Sequence, residues 1–253
     1  MNAENKTKPT GGPEDAPASG STVSGELRRP WRLVLLGAPG VGKGTQGDLL
    51  SHRLGMRHIS TGDLFRAAGS RSAGEKTPAM AEAMTYMHRG QLVPDATVWA
   101  LVRGQRDSIL SRQGFLLDGF PRTLAQAELL KGFMEEEKLP LTAVVDYEMP
   151  HTEIIFRLSG RRICAKCKAV FHVESRPPRV AGVCDHCGAE LYRREDDRPE
   201  SVRVRMETYE KSTAPLADYY RRKGLLVAVT ADGTPEEIFQ RALTALDRRA
   251  AKK

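Results

Sequence analysis

Apolar residues in this chain come in short runs bounded by glycine and polar turns, and between the runs they recur at helical spacing. Leu33-Val34-Leu35-Leu36, just after Trp31, is apolar without alternation, as a strand covered on both faces would be. Helical periodicity follows through Leu49, Leu50 and Leu54, and Met56 to Ile59 predicts a second strand. Ser60-Thr61-Gly62-Asp63 predicts a helix start, because a hydroxyl followed three residues later by a carboxylate makes a capping box. Residues 69–77 are small and polar and read as a loop. A helix carrying Met80, Met84 and Met87 then runs to Gly90, a suitable stop, with the methionines as core filler rather than ligands. Pro94 opens a further helix carrying Val98, Leu101, Val102 and Ile109. Phe115-Leu116-Leu117-Asp118 reads as a short buried strand ending in the turn Gly119-Phe120-Pro121. Ala143–Tyr147 and Leu225–Val229 are two more strands, and Thr234-Pro235-Glu236-Glu237 caps the last helix. Short apolar strands alternating with helices imply an α/β fold with a parallel sheet covered on both faces. Between Gly160 and Asp197 the pattern breaks into cysteines, prolines, glycines and charges, which marks an inserted lobe.

Composition adds bounds. The 253 residues suit one domain with inserted lobes or two small domains. A hydrophobic share of 40% and a charged share of 28% are ordinary for a globular chain. A formal net charge of +7 favours anionic partners, whether nucleic acid or a small polyphosphate held by many arginines. No apolar run approaches the length of a membrane span. Residues 1–30 lack the apolar core of a secretory signal and read as a disordered extension, while Glu4, Glu14, Asp15 and Glu26 disfavour a transit peptide.

Three groups of residues carry chemistry. Gly37-Ala38-Pro39-Gly40-Val41-Gly42-Lys43-Gly44-Thr45-Gln46 directly follows the first strand and opens a helix. Glycines there let bare N–H groups converge on an anion at the helix N-terminus, and Lys43 adds a point charge. The spacing is that of a P-loop, with Gly44 where Ser or Thr is usual and Thr45 one step later. It implies a site for nucleoside phosphates. All four cysteines fall in the pairs Cys164-x-x-Cys167 and Cys184-x-x-Cys187, the spacing of a zinc ribbon. Four thiolates close the coordination shell, so the zinc is expected to be structural, with His186 a bystander and a reducing cytoplasm the expected compartment. Arg66, Arg122, Arg157, Arg161, Arg194 and Arg205 sit near strand ends, helix starts or the lobe's edges. Phosphoryl transfer calls for guanidinium clamps of this kind on phosphate oxygens. Asp118 ends a strand beside the expected end of the P-loop strand, where a carboxylate holds Mg²⁺ or its waters, or else caps the turn that follows.

Several separate signatures resemble the adenylate kinase family over residues 31–247. They are Gly37 to Gln46, Ile59 to Arg66, Gly114 to Arg122 with Thr123 and Gln126, Leu158 to Arg162, Arg194 to Asp197, and Thr213-Ala214-Pro215-Leu216 before Tyr219-Tyr220. The Gly44-Thr45 order is the one that family uses. The resemblance implies a P-loop nucleoside monophosphate kinase with a five-stranded parallel sheet forming a CORE at 31–59, 94–159 and 198–249. An AMP-binding lobe is implied at 60–93 and a zinc-ribbon LID at 160–197. It implies reversible transfer from MgATP to AMP, giving two ADP. Gly40, Val41, Gly42, Lys43, Gly44 and Thr45 would hold ATP phosphates, with Arg157, Arg161, Val170, Phe171 and Gly233 around the rest of that nucleotide. Thr61, Arg66, Val93, Gly119, Phe120, Pro121, Arg122 and Gln126 would hold AMP together with Arg194 and Arg205, and Gln126 would read the adenine edge. Lys43, Arg122, Arg161, Arg194, Arg205 and Asp118 form the implied catalytic set. Gly160 and the stretch at Asp196 and Asp197 are candidate hinges. The segment between Arg66 and Gly90 is longer than the family's usual pattern, and Pro235 stands where some members carry lysine.

The rival readings are a GTP:AMP or other nucleoside monophosphate kinase and, in a different class, a nucleic-acid-binding zinc-ribbon ATPase. Sparse aromatics among the basic residues of the ribbon weigh against the last, as does its leaving Gly119 to Gln126 without a role. The resemblance implies a monomer, and the expected partners are small nucleotides, with neither nucleic acid nor membrane. The cysteine-rich lobe has too few apolar residues to build a core of its own, so metal is expected to supply much of its folding energy. Stripping the metal should unfold this lobe well before the main domain. Unchanged melting together with zero zinc by elemental analysis would contradict that expectation.

Overall fold

A computed structural model describes residues 30–69 and 77–251 of the chain. The extension expected before residue 30 and most of the loop expected at 69–77 lie outside the described residues. The first half runs β1 (Arg32–Gly37), α1 (Lys43–Leu54), β2 (Arg57–Ser60), α2 (Thr61–Gly69), α3 (Pro78–His88), α4 (Asp95–Arg103), α5 (Arg106–Ile109), β3 (Phe115–Asp118), α6 (Leu124–Glu136) and β4 (Ala143–Glu148). It continues with α7 (His151–Ser159), β5 (Arg161–Cys164), β6 (Val170–His172), β7 (Leu191–Tyr192), α8 (Pro199–Thr208), α9 (Pro215–Arg222), β8 (Leu226–Thr230) and α10 (Pro235–Ala250).

Five strands pair in parallel in the order β2-β3-β1-β4-β8. Side chains alternate across a pleated strand, so each strand feeds two cores. Val34, Leu36, Ile59, Phe115, Leu117 and Val144 point to one face and pack with Phe65, Val98, Val102, Leu130 and Phe133. Leu33, Leu35, Leu116, Ala143 and Val145 point to the other and meet Leu50, Ile238, Phe239, Ala242 and Leu246. Burial on both faces is why these strands read as unbroken apolar runs. The register sets Leu35 beside Asp118 and Leu36 beside Asp146, so the carboxyl ends of β1, β3 and β4 open on one edge. That edge is where open parallel sheets bind ligands.

Differences from the sequence expectation have local causes. The second strand starts at Arg57, and Met56 turns into the core instead. The last strand is shifted by one residue, to Leu226–Thr230. The helix expected from Pro94 through Ile109 is two helices, because Gly104 ends α4 before α5 begins at Arg106. At the start of α2 the Ser60 Oγ accepts the Asp63 N–H at 3.3 Å, but the Asp63 carboxylate turns to Arg66. Between α8 and α9 lies one π-helical turn, Tyr209–Thr213, from which the Thr213 hydroxyl donates to the Arg122 carbonyl at 2.8 Å. Inserted π turns of this kind concentrate at functional sites.

Residues 161–192 carry a second, antiparallel sheet in the order β6-β5-β7, with a small core of Cys164, Phe171, Cys184 and Leu191. Among the described residues no helix is long and apolar enough to cross a membrane. The capping box at α10 is complete: the Thr234 Oγ1 accepts the Glu237 N–H at 3.3 Å and the Glu237 carboxylate accepts the Thr234 N–H at 2.7 Å. Thr234→Ala is expected to cost about 1 kcal/mol of stability, read as a lower urea midpoint with an unchanged slope.

Candidate active site

The P-loop is shaped by three glycines whose positive φ angles L side chains rarely adopt. Gly37 has φ 128°, and a Cβ there would lie 2.5 Å from the Tyr147 carbonyl oxygen. Gly40, at φ 87°, seats its backbone on Leu158 of α7, 2.6 Å from where a Cβ would stand. Gly42, at φ 107°, is the N-cap of α1. The Lys43 ammonium, first residue of that helix, folds back to donate to the Gly37 and Ala38 carbonyls at 2.7 and 2.8 Å. Burial lowers its pKa to about 8, and the Arg122 and Arg205 charges push the same way against Asp118 and Asp146. Arg157 from α7 donates to the Val41 carbonyl at 3.3 Å and to the Ala231 carbonyl at 3.1 Å, so it spans the P-loop and the segment before α10. Gln46 Nε2 adds a second tie, 2.8 Å to the Pro235 carbonyl.

Asp118 ends β3 beside this loop, its Oδ2 within 3.7 Å of where a Cβ on Gly44 would lie. Burial opposes its charge, yet His58, Lys43 and Arg122 together hold its pKa below the usual carboxylate range. His58 donates from Nδ1 to Asp48 Oδ1 at 2.9 Å and sets Nε2 3.8 Å from Asp118 Oδ2. These two carboxylates overcome the burial of the ring and raise its pKa to about 9. Beyond Asp118 the chain turns at Gly119, whose carbonyl accepts from Arg122 Nε at 2.9 Å, and Thr61 Oγ1 donates to the Asp118 carbonyl at 3.3 Å.

The remaining guanidiniums are held by carboxylates. Asp197, 1% exposed, takes Arg161 on both oxygens and Arg205 on Oδ1 at 3.1 Å. Its carbonyl accepts from Arg193, and Arg205 also reaches Asp196 Oδ2 at 3.2 Å. Asp63 pairs with Arg66 and lies 3.8 Å from Arg194, whose pKa burial and the nearby Arg66 and Arg161 lower to about 10. All six arginines singled out in the sequence line one cleft of about 1250 Å³ with Lys43, Gly40, Gly42, Gly44, Thr45 and Asp118. Thr61, Val93, Gly119, Pro121, Gln126, Val170, Phe171 and Gly233 line it too. Val41 and Phe120 are buried in the two main cores, Phe120 stacked on Trp99 with centroids 5.9 Å apart, so these side chains do not line the cleft.

The four cysteine sulfurs all lie within 4.8 Å of one another, with Cys164 and Cys187 at 3.4 Å and Cys167 and Cys184 at 3.5 Å. A tetrahedron with metal–sulfur bonds of about 2.3 Å has edges of about 3.8 Å, so the cage fits zinc. A backbone N–H, that of Cys167, already points at the Cys164 sulfur at 3.4 Å. His186 is exposed, its ring 5.9 Å from that of Phe171.

The profile of the adenylate kinase family matches residues 35–225 of this chain, a span that runs from within β1 to the residue before β8. The chain belongs to the adenylate kinase family. It is 48% identical over 223 residues to the adenylate kinase of Streptomyces avermitilis, covering 88% of this chain and 100% of that one. With the adenylate kinase of Carboxydothermus hydrogenoformans it shares 46% over 217 residues, 86% of this chain and 100% of the other. With that of Caldicellulosiruptor bescii it shares 50% over 196 residues, 78% and 89% of the two chains.

Some residues of this adenylate kinase site were not legible in its sequence. Asp48 and His58 are ordinary polar residues there: β2, paired with β3, brings His58 to 3.8 Å from Asp118, and Asp48 on α1 meets the other nitrogen of that ring. Asp197, expected near a hinge, is buried and pairs with both Arg161 and Arg205. Gly160, the other expected hinge, has an ordinary φ of −91°. What demands glycine is the His172 ring, 2.2 Å from where a Cβ would stand. Asp196 has a pKa held low by Arg205, Arg194 and Arg161 against the effect of burial. A depressed carboxylate stabilises the fold above its unfolded value, about 3.9, and loses that contribution as pH falls through its folded value. Urea titrations should therefore find wild type more stable than Asp196→Asn at pH 7, with the gap closing as pH approaches 3.

Proposed function

We propose a division of labour in this adenylate kinase, which transfers a phosphoryl group reversibly from MgATP to AMP to give two ADP. One observation supports it above others: the six arginines singled out in the sequence share a single cleft with the Lys43 ammonium and the N-terminus of α1. The P-loop amides from Gly40 to Thr45 and the Lys43 ammonium hold the ATP phosphates, with Lys43 exchanging the carbonyls of Gly37 and Ala38 for phosphate oxygens. Arg157, Val170, Phe171 and Gly233 take the remainder of ATP. Thr61, Arg66, Val93, Gly119 and Gln126 take AMP. Arg122, Arg161, Arg194 and Arg205 spread over the transferring group. Among the described residues, Arg161 has only Nε and Nη2 on Asp197, and Arg205 only Nη1 on the two aspartates, so each retains N–H donors for phosphate.

Mg²⁺ travels with ATP and neutralises charge on the phosphate oxygens, and Asp118 is the carboxylate that would hold it or its waters. The four cysteines would hold a structural zinc. Segments 60–93 and 160–197 act as AMP lobe and LID around a CORE formed by the rest, closing to exclude water from the transferring group. The enzyme is proposed to work as a cytoplasmic monomer without nucleic acid.

Removing one preorganised donor to developing charge costs a factor of about 10²–10³ in rate. Lys43→Met should lose at least that in kcat while still folding, as read by circular dichroism, and substantial residual turnover would overturn its role. Diphosphate formation from a panel of monophosphate acceptors, with ATP and GTP as donors, tests the substrate pair. In the same panel Gln126→Leu should weaken discrimination among acceptor bases and leave ATP affinity intact.

A further inference from the structure

Gln126 is buried to 1% exposure at the start of α6, with its amide on the acceptor side of the cleft. Its Oε1 accepts the backbone N–H of Arg122 at 2.8 Å, and its Nε2 donates to Asp95 Oδ1 at 2.7 Å. Asp95 is the first residue of α4 and is itself steadied by the Thr123 hydroxyl, 3.2 Å from Oδ2. Thr123 in turn caps α6, its Oγ1 accepting the Gln126 N–H at 3.1 Å.

These partners are of fixed polarity. An ionised carboxylate only accepts and a backbone N–H only donates. Turning the amide over would set its NH₂ against the Arg122 N–H and its oxygen against the Asp95 carboxylate. Two hydrogen bonds would become two contacts between like poles. The amide is thus held one way round, leaving one N–H on Nε2 and one lone pair on Oε1 in a fixed order. Adenine presents a donor at its 6-amino group and an acceptor at N1. A 6-oxopurine presents the reverse, an acceptor at O6 and a donor at N1. A freely turning glutamine amide would serve both.

The geometry points to Asp95 as a positioning residue that sets acceptor-base specificity, by locking the Gln126 amide in the orientation that pairs with a 6-aminopurine and rejects a 6-oxopurine. This rests on the reading of Gln126 as the residue that meets the acceptor base. Sites built around fixed hydrogen-bond partners discriminate by leaving the wrong ligand's groups unpaired.

The test is kcat/KM for AMP and for IMP, which differ chiefly at that edge, at saturating ATP in wild type, Asp95→Asn and Asp95→Ala. Asparagine is nearly isosteric with aspartate but offers either pole. The AMP-over-IMP ratio should fall about tenfold in both variants, roughly the worth of one hydrogen bond. Melting temperatures are recorded alongside, because a merely structural role would lower stability or weaken both acceptors alike without moving the ratio. An unchanged ratio in Asp95→Asn and Asp95→Ala overturns the inference. If Gln126→Leu collapses selectivity while the Asp95 variants keep it, the locking role alone fails. If Gln126→Leu also leaves selectivity intact, the reading of Gln126 fails with it.

Discussion

A cleft that grips phosphates must hold many positive charges close together before any phosphate arrives. Like charges repel most strongly where burial removes water. Here carboxylates offset that repulsion. Asp197 joins Arg161, at the start of β5, to Arg205 on α8, so one side chain ties the small sheet to the main body. Asp118 faces Lys43 and Arg122, and Asp63 faces Arg66 and Arg194. Breaking a pair made by the buried Asp118 or Asp197 would leave an uncompensated charge, so these two aspartates are structural requirements of the site even where they touch no substrate.

The same arrangement keeps the cations reactive. Lys43 rests on two carbonyls of its own loop, and neutral partners are weaker competitors for an ammonium than phosphate oxygens are. The Arg122 side chain donates to the Gly119 carbonyl, a neutral partner as well. The site is preorganised without being saturated, which is the condition under which fixed charges stabilise a transition state at little reorganisation cost. At the start of α6 Thr123, Asp95, Gln126 and the Arg122 backbone fix one another in a chain of directed hydrogen bonds.

Much of this was legible residue by residue. The run Leu33–Leu36 followed by Gly37 to Lys43 could be only a buried strand turning into a helix, because its apolar continuity, glycines and lysine are local chemistry. Phe115–Asp118 and the Thr234 cap were equally plain, the latter because both halves of a capping box lie within four residues. The cysteine pairs were readable because ligand spacing is encoded along the chain. Boundaries failed where competing contacts decided them. Met56 has strand character but fills a core, Gly104 splits a periodic run, and the Asp63 carboxylate leaves its cap for Arg66.

What the chain alone determined were the pieces: an apolar strand with its glycine turn, a lysine at a helix start, paired cysteines, and arginines next to recognisable motifs. Tertiary structure decided which of these meet. Parallel register put Leu35 beside Asp118 and Ser60 beside Asp118 from the other side, and with them came Lys43, His58 and Thr61. Asp197 with Arg205, and Asp95 with Gln126, are pairs of the same kind, joined by how helices pack. The physical reason is that turns, caps and ligand spacing depend on neighbours a few bonds away, whereas burial, pairing and pKa depend on residues brought near only when the sheet and helices close around their cores.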